Sequence, residues 1–91
     1  MIDYITESEF HTRRKSYGWT SIPNGESKVV VDLDGEACFC FLDEDPYSHI
    51  FYYVKCPDIH IAQDVIGKGR RQSNFKESVT LYNRKHKLEL L

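Results

Sequence analysis

The stretch Val29-Val30-Val31-Asp32-Leu33-Asp34-Gly35-Glu36-Ala37-Cys38-Phe39-Cys40-Phe41-Leu42 decides the fold. Two runs rich in β-branched and aromatic residues flank Asp34-Gly35. That dipeptide suits a two-residue type I′ hairpin turn, in which both central residues adopt positive φ. A two-residue loop sets the register, with Leu33 opposite Glu36, Asp32 opposite Ala37, Val31 opposite Cys38, Val30 opposite Phe39 and Val29 opposite Cys40. Side chains alternate faces along a strand, so Val29, Val31, Leu33, Cys38, Cys40 and Leu42 form a core face. Lys28, Val30, Asp32, Ala37, Phe39 and Phe41 fall on the other.

A third strand is expected from His49 to Cys56, where Ile50, Tyr52, Val54 and Cys56 alternate with Phe51, Tyr53 and Lys55. With the more aliphatic set on the core face, Phe39, Phe41, Phe51 and Tyr53 share the opposite face with Lys28 and Lys55. Such a face is either covered by a helix or second subunit, or it stacks bases as nucleic-acid-binding sheets do. Covering is the commoner fate of aromatics on strands.

Upstream, Thr6 and Glu9 form a capping box, and Ile5 with Phe10 are spaced as a hydrophobic staple. Acids in the first turn and bases in the last suit the helix dipole, and Gly18 supplies the C-terminal stop. A helix from about Glu7 to Tyr17 follows, with Trp19 packing back on it. Its apolar positions are few, mainly Phe10 and Tyr17, so it covers a sheet only partly. Thr20 to Ser27 reads as a loop with Pro23-Asn24-Gly25 as its turn, and Asp43 to Ser48 as an exposed acidic loop marked by Pro46.

Beyond Cys56, Pro57 opens a second short helix ending at Gly67, with Ile59, Ala62 and Ile66 on one side, although the alternation of Ile59 and Ile61 equally suits a strand. Gly67 to Asn74 reads as a mobile basic loop. Ser78 to Tyr82 alternates as a strand with Val79 and Leu81 inward. His86, Leu88 and Leu90 suggest a returning partner across Asn83 to Lys85, and a terminal helix capped by Asn83 is the competing reading. The expected class is α+β: an N-terminal helix packed on an antiparallel sheet of four to five strands, with a second short helix.

A chain of 91 residues makes one small domain, 1–91. Its apolar and charged fractions, 41% and 29%, are those of a folded protein rather than a disordered one. No apolar run is long enough to cross a membrane, and no basic region followed by a long hydrophobic stretch opens the chain. Three cysteines, an odd number within apolar strands, suggest reduced thiols and a cytoplasmic setting. Net charge is −2, but residues 26–64 carry −7 and residues 65–91 carry +5, so two poles of opposite potential are expected.

Chemistry is sparsely marked. Cys38, Cys40, Cys56 and His60 lack the paired spacing of structural zinc sites, so the thiols read as small hydrophobes, and no metal or cofactor is expected. His11, His49, His60 and His86 are scattered, with no nucleophile elbow, phosphate-binding loop or dinucleotide fingerprint. Gly67-Lys68-Gly69-Arg70 lacks the remainder of a P-loop. A small ribonuclease-like toxin is one alternative, but such an enzyme needs a strongly basic surface and the isoelectric point here is about 6.0.

The expectation is therefore a non-enzymatic interaction protein, an inhibitor or immunity-type binder of a macromolecule. Its binding residues would be Phe39, Phe41, Phe51 and Tyr53, with Asp43, Glu44 and Asp45 in acidic loops, and Asp32, Asp34 and Glu36 adding to the steering charge. Self-association through the aromatic face is an equivalent form of it. The main alternative is a single-stranded nucleic-acid binder. In that reading the same aromatics stack bases while Lys68, Arg70, Arg71 and Lys76 hold phosphates.

Overall fold

In a computed structural model, the chain runs β1 (Asp3–Tyr4), α1 (Glu7–Tyr17), β2 (Thr20–Ser21), β3 (Lys28–Val31), β4 (Ala37–Asp45), β5 (Ser48–Cys56), α2 (Ile59–Gln72) and α3 (Phe75–Glu89). The structure describes residues 1–22, 27–45, 48–72 and 74–89. The expected turn at Pro23-Asn24-Gly25, Pro46, and the end of the C-terminal stretch at Leu90 lie outside the described residues. The five strands form one antiparallel sheet in the order β1-β5-β4-β3-β2. The fold is thus the expected α+β class. The strand count also agrees, but the extra strands are β1 and β2 beside the expected three, not the C-terminal segments.

The first hairpin departs from its expected register by one residue. Val29 pairs with Phe39, Val30 with Cys38 and Val31 with Ala37. The loop is three residues long rather than two. Gly35 donates to the Asp32 carbonyl (3.1 Å) to close a β-turn, and Asp32 N–H donates to the Glu36 carbonyl (3.1 Å). Gly35 alone takes up the left-handed conformation, at φ 86°, as in three-residue loops that end in a glycine bulge. The Asp32 carboxylate selects this turn, because its Oδ1 accepts from both Asp34 N–H and Glu36 N–H at 2.9 Å.

A one-residue slip sends each side chain of a strand to the other face. Val29 and Val31 therefore join Ala37, Phe39 and Phe41, while Val30 joins Cys38 and Cys40. Leu33, expected in the core, sits at the turn and is 91% exposed. On β5, Val54, Tyr52 and Cys56 fall beside the Phe39 set, and Tyr53 and Phe51 beside the Cys40 set.

Helices cover both faces. On one, α1 lays Phe10 on Val30 and Cys38, with Ile5, Cys40 and Tyr53 at the margin. The cap is as expected: Thr6 Oγ1 accepts from Glu9 N–H (3.0 Å), and Gly18 N–H donates to the Arg14 carbonyl (2.8 Å). Trp19 returns to pack edge-on against Phe10 (5.3 Å between centroids), with the Arg14 guanidinium over its ring. Phe10 is the buried residue of this helix; Tyr17 is exposed. Arg13 fastens α1 to the hairpin turn through Glu36 (3.0 Å) and Asp32 (3.4 Å).

The opposite face carries the larger core, where α2 and α3 bring Ala62, Val65, Ile66, Phe75 and Val79 onto Val29, Phe39, Phe41 and Val54. Here the sequence expectations need two corrections. First, α2 does not stop at Gly67. It begins at an Asp58 cap, whose Oδ1 accepts from Ile61 N–H (3.0 Å), and runs to Gln72, so the expected basic loop is mostly helix. Gly69 continues the helix because it is where α2 meets the aromatic core; a Cβ there would lie 2.9 Å from the Phe75 ring and 3.2 Å from Phe41. Second, Ser78 to Tyr82 is helix, not strand. Asn74 and Glu77 form a capping box, Asn74 Oδ1 accepting from Glu77 N–H (3.1 Å) and Asn74 Nδ2 donating to the Glu77 carboxylate (3.2 Å). The inward set Phe75, Val79 and Tyr82 has helical spacing, and Leu81 is 48% exposed. One side chain ties the first segment to the last: Asn83 Oδ1 accepts from Ile2 N–H (2.7 Å) while Asn83 Nδ2 donates to the Ile2 carbonyl (2.9 Å).

Candidate functional site

Strands β4 and β5 are nine residues each, against four in β3 and two in β1. This mismatch makes the site. The ladder from β3 ends at Phe39, and that from β1 ends at Val54, with Ile5 N–H adding one bond to the Tyr53 carbonyl (2.9 Å). Farther out, among the described residues, β4 and β5 pair only with each other. Asp43 to Asp45 and Ser48, expected in a loop, are strand residues of this two-stranded arm.

The helices cover the root of the arm and stop. On the α2–α3 side, Phe41 stacks on Phe75 (4.3 Å, 12°) and Tyr52 packs beside it (5.4 Å). The next pair, Asp43 and Ile50, lies beyond that cover, and Ile50 is 45% exposed. On the α1 side, Cys40 and Tyr53 are the last residues packed under the helix, and the next pair is Leu42 and Phe51, 38% and 56% exposed. The arm thus presents apolar side chains on both faces and, among the described residues, edges along which no third strand pairs. Open edges of this kind accept a further strand unless something blocks them. Covering Leu42, Ile50 and Phe51 would contribute about 1 kcal/mol each, half the value of a fully buried side chain.

The sequence-predicted binding residues are not brought together. Phe39 and Phe41 are buried under α2 and α3. Phe51 and Tyr53 lie on the other face, and Tyr53 is half-buried against Phe10 and His11 (5.4 and 6.3 Å). A four-ring platform does not exist, because the β4–β5 register sets Phe39 and Phe41 beside Val54 and Tyr52, and Tyr53 and Phe51 beside Cys40 and Leu42 on the opposite face. The acidic residues divide as well. Asp32 and Glu36 are engaged by Arg13 at the turn, whereas Asp43, Glu44 and Asp45 occupy the far end of β4, roughly 20–30 Å away by strand rise. Leu42 and Ile50 are exposed residues of the arm that alternation along the strand assigns to the core. The signal for them was strand length: two nine-residue runs exceed any partner strand the chain could supply.

The basic residues also separate. Arg70 and Arg71 line one cleft beside α2, and Lys68 lines a second, between α2 and α3, where it pairs with Asp64 (3.1 Å). Lys76 is exposed in the first turn of α3.

The thiols near this arrangement are shifted away from the nucleophilic form. Cys38, Cys40 and Cys56 are free thiols, and burial pushes all three above the ordinary thiol range, Cys56 to about 12. Nearby carboxylates add to the effect at Cys38, while Arg13 opposes it. The Tyr53 hydroxyl is likewise raised, first by burial and then by the neighbouring Cys40 and Glu7. His11 reaches Glu7 at 3.5 Å at the edge of this patch. Among the described residues no three His, Cys, Asp or Glu side chains converge as metal ligands, and no helix is long and apolar enough to cross a membrane. No protein-family model, curated protein or solved structure matches the chain.

Proposed function

We propose that this protein is a non-catalytic interaction module, of the inhibitor or immunity type, which engages a protein partner through the β4–β5 arm. The observation that carries the reading is the exposure of Leu42, Ile50 and Phe51 on a hairpin that, among the described residues, extends beyond the ladders of β1 and β3. A partner strand laid along either edge would complete the ladder, and its side chains would cover these three residues. Asp43, Glu44 and Asp45 at the end of β4 favour a basic partner and would speed its encounter. The binding residues carried forward are thus Phe51, Asp43, Glu44 and Asp45, joined by Leu42 and Ile50; Tyr53 supports the arm from beneath α1. Thiols held protonated in apolar surroundings suit packing rather than nucleophilic chemistry.

Native mass spectrometry of the protein purified from its host tests this reading, with the wild type compared to a Leu42→Asp, Phe51→Asp double variant. A stoichiometric complex with a second protein, or with a second copy, that is lost in a variant of unchanged thermal stability is the expected result. A bare monomer, or a complex that the double variant retains, would overturn it.

A further inference from the structure

The stretch Gly67-Lys68-Gly69-Arg70 resembles a phosphate cradle in sequence, yet its backbone amides are committed to helix α2. What remains is a side-chain cleft on the opposite side of α2 from α3. Its volume is about 400 Å³, and it is lined by Ile22 and by residues of α2, among them His60, Arg70, Arg71 and the carboxylate of Asp64. Sites for small ligands begin at about this size.

The residues of the cleft are sorted by chemistry. Ile22 and Ile66 are buried and form an apolar floor. His60, Gln63, Gly67 and Arg71 recur at helical spacing, so one stripe of α2 makes the wall. Two guanidinium groups border the cleft, each with its own neighbour. Arg70 Nη2 donates to Ser27 Oγ (2.8 Å), which anchors it toward the start of β3. Arg71 folds back along the helix, both its Nη atoms 3.9 Å from where a Gly67 Cβ would stand, so the missing side chain leaves the space beneath it open. Asp64, the one carboxylate, has its charge met by Lys68 on the far side (3.1 Å).

We propose that this cleft binds a phosphomonoester of nucleotide size, its phosphate held between Arg70 and Arg71 and its apolar or planar body against Ile22 and Ile66. Guanidinium forks match phosphate oxygens in pairs, which a lysine cannot do. His60 and Gln63 place further hydrogen-bonding groups around the same space. The site is independent of the arm, and either assignment can fail without the other.

The test is an amide-resolved NMR titration of the whole protein with AMP, inorganic phosphate, adenosine and a single-stranded oligonucleotide. Saturable shifts at His60, Gln63, Gly67 and Arg71 on adding AMP are expected, with affinity at least tenfold above that for inorganic phosphate or adenosine. Two surface variants follow. Arg71→Gln should weaken AMP at least tenfold, and Gly67→Leu, which keeps every cation but fills the cleft, should do the same. Shifts that do not saturate, or affinity unchanged in both variants, would overturn the assignment. So would equal binding of AMP and inorganic phosphate, which would mean a bare anion site, or a preference for the oligonucleotide, which would move the surface to polymer binding.

Discussion

Asp32 and Glu36 face each other across the β3–β4 turn and are joined twice: Asp32 N–H donates to the Glu36 carbonyl at 3.1 Å, and Glu36 N–H donates to Asp32 Oδ1 at 2.9 Å. The second of these bonds belongs to a side chain, and it favours the loop length that sets which β3 side chains share a face with which side chains of β4. Removing it with Asp32→Ala also frees Asp34 N–H and the Arg13 contact. The expected cost is about 1–3 kcal/mol, read as a lower urea midpoint at constant slope. Asp32→Asn retains an acceptor and should lose less than half as much.

Two glycines two positions apart along α2, Gly67 and Gly69, should answer alanine with opposite signs. At Gly67 an added Cβ meets only the ends of Arg71, at 3.9 Å. Helix propensity then dominates, and Gly67→Ala should stabilise by about 0.5–1 kcal/mol. At Gly69 the same atom would press on two stacked core rings, at 2.9 and 3.2 Å. Overpacking outweighs propensity there, and Gly69→Ala should cost about 1–3 kcal/mol. Paired thermal melts decide the matter.

Alkaline instability should trace partly to Cys56. Burial raises its thiol from 9.0 to about 12. Because the folded state holds this proton more tightly than the unfolded chain, the stabilising contribution is complete below pH 9 and is lost as pH rises toward 12. The slope for one proton is about 1.4 kcal/mol per pH unit. Chemical denaturation of wild type and Cys56→Ala from pH 8 to 11 should show the steeper decline in the wild type. In native protein at pH 8, the same thiol should resist alkylation.

Phenylalanines ten residues apart on the same hairpin should differ in kind. Phe41 is 6% exposed and stacked on Phe75, so Phe41→Ala should cost about 3–5 kcal/mol. Phe51 is 56% exposed, and Phe51→Ala should stay within about 0.5 kcal/mol of the wild type. A large loss at Phe51 would mean that the outer arm is packed within the monomer, and calorimetry would reveal it.

How far the residues announce the fold depends on where the information lies. Signals confined to a few neighbours were legible: the Thr6–Glu9 cap, the Gly18 stop, the Trp19 return, and three strand cores. The class followed from them. What was missed needed a contact or a choice between close alternatives. Asp34-Gly35 is compatible with two loop lengths, and the Asp32 carboxylate, not the glycine, selects the longer one; every facial assignment in β3 inherited that choice. Gly67 and Gly69 read as helix breakers because the rings that excuse Gly69 are distant in sequence. The strand reading at Ser78 rested on the alternation of Val79 and Leu81, while the stronger marks, Asn74 with Glu77 and the spacing of Phe75, Val79 and Tyr82, already favoured a helix. For the candidate interface, Phe51 and the acidic end of β4 were legible, but Leu42 and Ile50 were not. Apolar residues signal burial in a sequence, and only the reach of the neighbouring strands shows where cover ends.

The two-way bond between Asn83 and Ile2 has a consequence for assembly. A carboxamide that meets both the N–H and the carbonyl of one residue, at 2.7 and 2.9 Å, supplies what an adjoining chain would supply. At that margin the sheet is terminated by a side chain, and an incoming segment finds no vacant pair at Ile2 from which to begin. The margin formed by β2 is only two residues long. Both outer margins of the sheet thus offer an incoming segment little backbone to pair with, in contrast to the nine-residue strands of the arm.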